Sequence, residues 1–315
     1  MMQVFLEWFN SPQQPTYWLY LVSTFLIAVL VYVVRDHRIS GSSTGIFKYC
    51  FPARVYWHRS FLHDLFIYAI NLLLFAFVLT YISITAEKLG SAVYSGLISH
   101  WGAVKSPVSG VTASTVYMLL VMLAVDLGFF ISHYLHHKVP LLWEFHKVHH
   151  TAPVLNPLTA FRRHPLDYFI ESNIIAVLLG LVYGTVAWLS GDKLEMLSIL
   201  GVNAGIFLFL MIGSHLQHSH IWISYGPLNK IFVSPAMHHI HHSSADIHRD
   251  KNMGSMFSFW DYLMGTRYIP QRQEQLTLGL PPGEQNAMPN LVSLYWQPFV
   301  RVLGRLKRIL PTRKN

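Results

Sequence analysis

Long apolar runs, rather than short alternating ones, organise this chain. A helix needs about 20 apolar residues to cross a bilayer, and five stretches approach that length. Tyr17 to Val34 and Leu65 to Ile84 carry no charge, Thr112 to Ser132 is interrupted only by Asp126, and Ile170 to Ser190 and Leu194 to Ser214 have Glu171 and Glu195 at their edges. The pattern predicts an all-α integral-membrane helical bundle of about five apolar spans. Only Gly191, Asp192 and Lys193 separate the last two runs, which predicts a tight helical hairpin. The N-terminus has neither a basic leader nor a small-residue cleavage site, so a cleavable signal peptide is not expected. Gly279, Pro281, Pro282, Gly283 and Pro289 mark a loop, and no internal repeat is evident. The expected organisation is an N-terminal span and loop over 1–64, a membrane domain over 65–270 and a basic amphipathic tail over 271–315.

Composition agrees with this reading. Of 315 residues, 52% are hydrophobic and 12% are charged, against roughly 25% charged in soluble domains. The single cysteine, Cys50, excludes a disulfide scaffold and a thiolate metal cluster. Cytoplasmic loops are enriched in Lys and Arg, and here the basic residues are strongly segregated. The loop 35–59 holds five, the segment 133–169 four and the tail after 214 eleven, while 86–111 holds two, the hairpin turn one and residues 1–16 none. An outside N-terminus and five crossings put 20 basic residues on the cytoplasmic side and 3 on the other. The tail from Arg301 to Lys314 suits anionic headgroups. Nucleic-acid binding is a poor reading of it, because no base-reading fold surrounds it.

Histidine changes the picture. There are 19, more than the 15 Asp and Glu together, and fifteen lie between residues 133 and 248. The charge-derived topology places all fifteen in a cytoplasmic helical cap. They form three clusters: His133-Tyr-Leu-His136-His137, His146-Lys-Val-His149-His150 and His238-His239-Ile-His241-His242. Residues i, i+3 and i+4 share a helix face. That nominates His133, His137, His146, His149, His150, His238, His241 and His242, with His239 off the face. Imidazole suits iron, zinc, copper and nickel, and eight or nine imidazoles fit two ions better than one. His37, His58, His63 and His100 read as polar anchors, the five-residue spacing of His58 and His63 falling off a helical face.

At these motifs the chain resembles the fatty acid hydroxylase/sterol desaturase superfamily of integral-membrane di-iron enzymes, whose pattern is H-x3-H, H-x2-HH and a later H-x2-HH. The flanks are similar too: Asp126 seven residues before His133, LLWEFHKVHH at 141–150, RRHPLD at 162–167, NMGSMFSFWDYLMGT at 252–266, and FPARVYWHRSFLHD at 51–64, which resembles bacterial members. The similarity covers roughly residues 50–270. It implies two iron ions (zinc can occupy such ligands in purified protein), O2 as co-substrate, and hydroxylation or desaturation of a lipid C–H bond. It also implies electrons from a separate cytochrome b5-, ferredoxin- or rubredoxin-like protein, since no HPGG heme signature is present. A further ligand of the family sits between the second and third clusters, where this chain has LQHSHI, which makes His218 the ninth candidate. His215 lies one turn earlier, and His220 stands where many relatives have Asn. His136 and His164 are further candidates for a role at the site.

A ligating imidazole usually donates its other N–H to a carboxylate or carbonyl. Asp126, intramembrane and two helical turns before His133, is the expected partner; Asp167, Glu144 and Asp261 are weaker ones, and Asp261 with Trp260 reads as packing of the cap. Two other classes are open: a histidine-rich metal transporter or store, whose sites would sit near the bilayer midplane, and an inactive scaffold.

Overall fold

The computed structural model describes residues 6, 8–37, 45–104, 110–191, 194–212, 214–281, 283–284 and 286–309, the side chains of Asp36, His37 and Ile309 excepted. It is mostly helical, with the main helices α1 (Trp18–Val31), α2 (Arg59–Leu74), α3 (Ala86–Trp101), α4 (Gly110–Lys138), α5 (Pro140–His150), α6 (Pro165–Ser190), α7 (Ala204–Met211), α8 (Pro235–His241) and α9 (Leu291–Ile309). Among the described residues, four helical stretches are long and apolar enough to cross a bilayer: Trp18–Arg35, Arg59–Trp101, Gly110–Lys138 and Pro165–Ser190. The chain is an integral membrane protein.

Two regions are built differently from the expectation. The run after Leu194 is not one helix: Ser198–Ile199 pairs antiparallel with Val202–Asn203, and α7 follows with eight residues. Leu200 and Gly201 both take positive φ, the geometry of a tight hairpin. The Asn203 carboxamide oxygen then accepts the backbone N–H groups of Gly205 and Ile206 and starts α7. The hairpin turn expected before it rests on Asp192 and Lys193, which lie outside the described residues. The second departure is 86–101, expected as loop. After a π-helical turn at Phe75–Leu79 and a break at 83–85, Thr85 caps a new helix, α3.

The chain divides into two compact units. The first comprises Met1–Pro52, Ser83–Phe129 and Ser172–Leu216. Within it α3 and α6 cross at glycines: a Cβ added to Gly184 would lie 2.5 Å from the Gly90 carbonyl oxygen and 2.6 Å from Val93 Cβ. Small residues are what let membrane helices approach this closely. Tyr17, Tyr20 and Phe207 form a second contact in this unit, with edge-to-face rings.

The second unit comprises Ala53–Ile82, Phe130–Glu171 and Gln217–Asn315. Ile67 of α2, Val148 of α5 and Leu294 of α9 meet in its core with Met288. Beneath them runs a polar network. The Arg162 guanidinium is buried and donates to Asp64 (2.5 Å), to Ser60 and to Thr151, while Asn156 and Thr159 donate to the other Asp64 oxygen. A buried charge is tolerated only when it is paired and hydrogen-bonded, and here both conditions hold.

Candidate metal centre

Proline sets up the site. Lys138 ends α4 and Pro140 begins α5. Pro has no N–H to give and forces the residue before it into an extended conformation, as Val139 shows at φ −95°, ψ 111°. The chain therefore turns between α4 and α5, bringing HYLHH and HKVHH together in the second unit. Residues Glu144 to His150 of α5 are all buried. The third cluster lies on α8, where Ser234 accepts from the Met237 N–H and Pro235 occupies the first turn. His218 ends a 3-10 turn, Ser214–His218, whose Gln217 amide donates to the Val233 and Ser255 carbonyls.

Nine imidazoles converge, in two groups. His133, His137, His146, His150 and His241 form one and His149, His218, His238 and His242 the other, with the ligand atoms of each group within 4.8 Å of one another. These are the nine residues nominated above. Their division differs from one motif, one ion. His146 and His150 join the first group while His149, between them in sequence, joins the second; His238 and His242 join the second while His241 joins the first. At about 100° per residue, i+4 is rotated roughly +40° and i+3 roughly −60° from i, so one helix face has two edges, and each edge serves a different group.

Hydrogen bonding sets the tautomers. In the five-membered group His146 Nδ1 donates to Asp167 (2.8 Å), His137 Nδ1 to Asp250 (3.2 Å), His133 Nδ1 to the Met253 carbonyl (2.7 Å) and His241 Nδ1 to the Lys251 carbonyl (2.8 Å). Each acceptor is an oxygen without a proton, so the proton resides on Nδ1 and the Nε2 lone pair is free. The Nε2 atoms of all five residues are buried without a hydrogen-bond partner among the described residues. Burial lowers the pKa of His146 and His150 well below the imidazole range and that of His241 to about 3, so these rings are neutral at pH 7. Asp250 is held far below the usual carboxylate range by the His137 hydrogen bond and by Lys138.

The second group is tighter. Nε2 of His218 lies 3.2 Å from Nε2 of His149 and 2.9 Å from Nε2 of His238, which is 3.1 Å from Nε2 of His242. One neutral imidazole nitrogen is a donor or an acceptor, never both, so this chain cannot be three full hydrogen bonds. Burial holds His149, His238 and His242 well below their ordinary pKa, which also excludes a ring of imidazolium ions. A single cation fits: at metal–nitrogen distances of about 2.0–2.1 Å, ligands 90–110° apart lie about 2.9–3.4 Å from each other. Both donor sets suit iron or zinc.

The remaining candidates fall outside both groups. His136 is buried with Nδ1 on the Ser132 carbonyl and Nε2 3.7 Å from Asp167. His164 has both nitrogens engaged, Nδ1 accepting from the Leu166 N–H and Nε2 donating to the Tyr295 carbonyl, which ties α6 to α9. His215 is buried in the first unit, and burial lowers its pKa to about 4. Asp126 is buried in the first unit, on the helix that carries His133. His58 accepts from the Ser60 N–H at the start of α2, and the His100 ring packs on Trp101.

Two carboxylates meet ligands within the second unit: Asp167, one of the weaker candidates, and Asp250, which the sequence reading missed. Asp167 is itself held by Arg163, which also binds Glu171 at 2.6–2.9 Å. Asp250 sits in the sequence HRDKNMG, nine residues after His241 and in no helix, so no periodic signal points to it. Asp261 acts one step further out: it accepts the Met253 and Gly254 N–H groups and the Thr266 hydroxyl, fixing the loop whose carbonyl holds His133. Glu144 belongs to an ion cluster with Lys147, Arg301 and Arg305.

Residues 118–266 match the family model described as fatty acid hydroxylase. The ornithine lipid hydroxylase OlsE of Rhizobium tropici is 27% identical over 168 residues, covering 52% of this chain and 45% of that protein. Alkylglycerol monooxygenase of Homo sapiens is 25% identical over 158 residues, covering 50% and 32%. Cholesterol 25-hydroxylase of Homo sapiens is 29% identical over 157 residues, covering 48% and 50%. The matches span half or less of the length of these curated relatives. No solved structure matches the chain.

Proposed function

Because this chain belongs to the fatty acid hydroxylase superfamily, we propose that it is a membrane-bound di-iron oxygenase that hydroxylates a lipid C–H bond. The observation that carries this reading is the convergence of nine imidazoles into two groups, with the five Nε2 atoms of the first without a hydrogen-bond partner among the described residues. The names of the relatives, all hydroxylases or monooxygenases, favour hydroxylation over desaturation. Iron held in the two groups would supply the dioxygen chemistry that an unactivated C–H bond requires. The reaction balances as lipid–H + O2 + 2 electrons + 2 protons → lipid–OH + H2O, with the electrons from a separate redox protein.

The chain's own contribution is preorganisation. Asp167, Asp250 and the Met253 and Lys251 carbonyls hold four rings in one tautomer and one orientation. Outer partners of this kind raise ligand basicity and metal affinity. Burial keeps the imidazoles of His146, His150 and His241 neutral. The concentration of Lys and Arg in 35–59, 133–169 and the tail after 214 supports a site and C-terminus on the cytoplasmic side. A metal transporter is less well supported: its site belongs in discontinuous membrane helices, whereas α5, α8 and the 3-10 turn at His218 lie outside the four candidate spans.

The test is iron-loaded, full-length protein in membranes with a reductase and O2. A lipid gain of 16 mass units that disappears in His149→Ala and His241→Ala is the expected result. Unchanged lipid oxidation and unchanged metal content in both variants would refute the reading.

A further inference from the structure

The last helix, α9, lies outside the family-matched residues 118–266. It contains no Asp or Glu but four cations, Arg301, Arg305, Lys307 and Arg308. Sequence alone sends all four to headgroups; the structure divides them. Arg301 and Arg305 turn to the buried Glu144 carboxylate of α5, at 3.9 and 2.6 Å. Lys307 and Arg308 are exposed. On its inner side α9 also packs Leu294 against Ile67 of α2 and Val148 of α5, and the Tyr295 hydroxyl donates to Asn71 of α2 at 3.2 Å. Because α2 opens the candidate span Arg59–Trp101, α9 begins beside a helix that enters the bilayer.

The outer side of α9 is apolar and uncovered. Val292, Trp296, Phe299, Val300 and Leu303 are 42–76% exposed. At about 100° per residue these five fall within one stripe about 100° wide, centred opposite Arg301 and Arg305. Scattered exposed apolar residues need no explanation, but a contiguous patch marks a contact. With four cations α9 is not among the candidate spans. An apolar stripe beside cations, on a helix that does not span, is the pattern of a helix lying in the plane of the bilayer interface.

Lys307 selects lipid over a second copy of the chain. Counted from Val292 it falls at roughly 60°, inside the stripe. A second copy seated stripe to stripe would bury this ammonium against a helix that has no carboxylate to pair with it, which is costly. At a lipid surface the lysine stem lies along the acyl boundary and its charged head reaches the phosphates.

We propose that α9 lies in the plane of the bilayer interface on anionic lipid. Its apolar stripe rests among the acyl chains next to the headgroups, and Lys307 and Arg308 meet the phosphates. Its inner side, through Leu294, Arg301 and Arg305, holds α5 and with it His146, His149 and His150 at the lipid surface. The placement stands whichever reaction the metal groups perform.

The experiment uses full-length protein reconstituted in bilayers of phosphatidylcholine, alone or mixed with phosphatidylglycerol, with a nitroxide label at one position at a time. Cys50→Ala removes the single cysteine. The labelled variants are Trp296→Cys and Leu303→Cys on the stripe, and Gln297→Cys and Gly304→Cys beside it, the last where an added Cβ meets open space. Collisions of the label with O2, which concentrates in lipid, are compared with collisions with a water-soluble nickel chelate. O2 should dominate at positions 296 and 303, and the share of the chelate should rise at 297 and 304. Phosphatidylglycerol should deepen the label at 303, and Lys307→Gln/Arg308→Gln should abolish that shift. No difference among the four positions would overturn the placement. Exclusion of both reagents at 296 and 303, with dipolar coupling between labels on two chains, would overturn it in favour of a second copy. A depth at 303 indifferent to phosphatidylglycerol would overturn the choice of anionic lipid.

Discussion

His241 and His242 are neighbours in the chain, yet each belongs to a different imidazole group. Replacing either by Ala removes one ring of nearly identical burial, so nonspecific effects on folding are matched between the two variants. The consequences for metal differ. His242→Ala leaves three imidazoles of four in its group, and His241→Ala leaves four of five in the other. Four-ligand structural zinc sites are worth about 10–16 kcal/mol, so one ligand is worth about 2.5–4 kcal/mol, on the order of 100-fold or more in affinity. The decisive form is a double-mutant cycle with His149→Ala, read as metal retained per chain across a chelator series. His149 shares a group with His242, so His149→Ala/His242→Ala should lose little beyond the more damaging single change, because the same ion is already gone. His149→Ala/His241→Ala should weaken both ions, the two losses adding as independent sites do. If the two doubles gave the same profile, the grouping, and the two-edged reading of the helix faces behind it, would be wrong.

Asp167→Asn keeps the size of the side chain but removes the charge that His146 Nδ1 and Arg163 face; metal affinity of the five-histidine group should fall about 10–100-fold, seen as earlier loss of one ion to chelator. Asp250→Asn should act on the same ion through His137 and leave the other unaffected. Arg162→Met strands the buried Asp64 carboxylate and should cost about 3–5 kcal/mol, measured as a lower thermal midpoint in detergent; an unchanged midpoint would show the network to be dispensable. Gly184→Leu forces a side chain against the Gly90 carbonyl oxygen and Val93, and should sharply lower the yield of folded protein, whereas Gly96→Ala, with open space at its Cβ, should not.

The cation cluster on α5 gives a complementary expectation. Glu144 and Lys147 are each 1% exposed and meet Arg305, Arg301 and Glu284. Glu144→Gln should therefore loosen α9, raising proteolysis in 291–309 more than it changes metal content, because neither residue touches an imidazole of the two groups.

The local pattern of this sequence was enough to give the apolar helices, the three histidine clusters and the identity of the nine converging rings. Those features depend on spacing within one helix, and helical geometry is the same wherever the helix sits. The stretch after Leu194 was misread because apolar content says nothing about the Leu200–Gly201 turn or the Asn203 cap that interrupts it. Which ring joins which group was equally hidden. His149 and His150 lie on two edges of one face, and only the partners arriving from α4, α8 and the turn at His218 distinguish those edges. Asp167 and Asp250 acquire their places the same way: 21 residues separate Asp167 from His146, and 113 separate Asp250 from His137. Contacts at such separations are set by the packing of whole elements, where many weak interactions are satisfied together, and no short window of sequence contains that information.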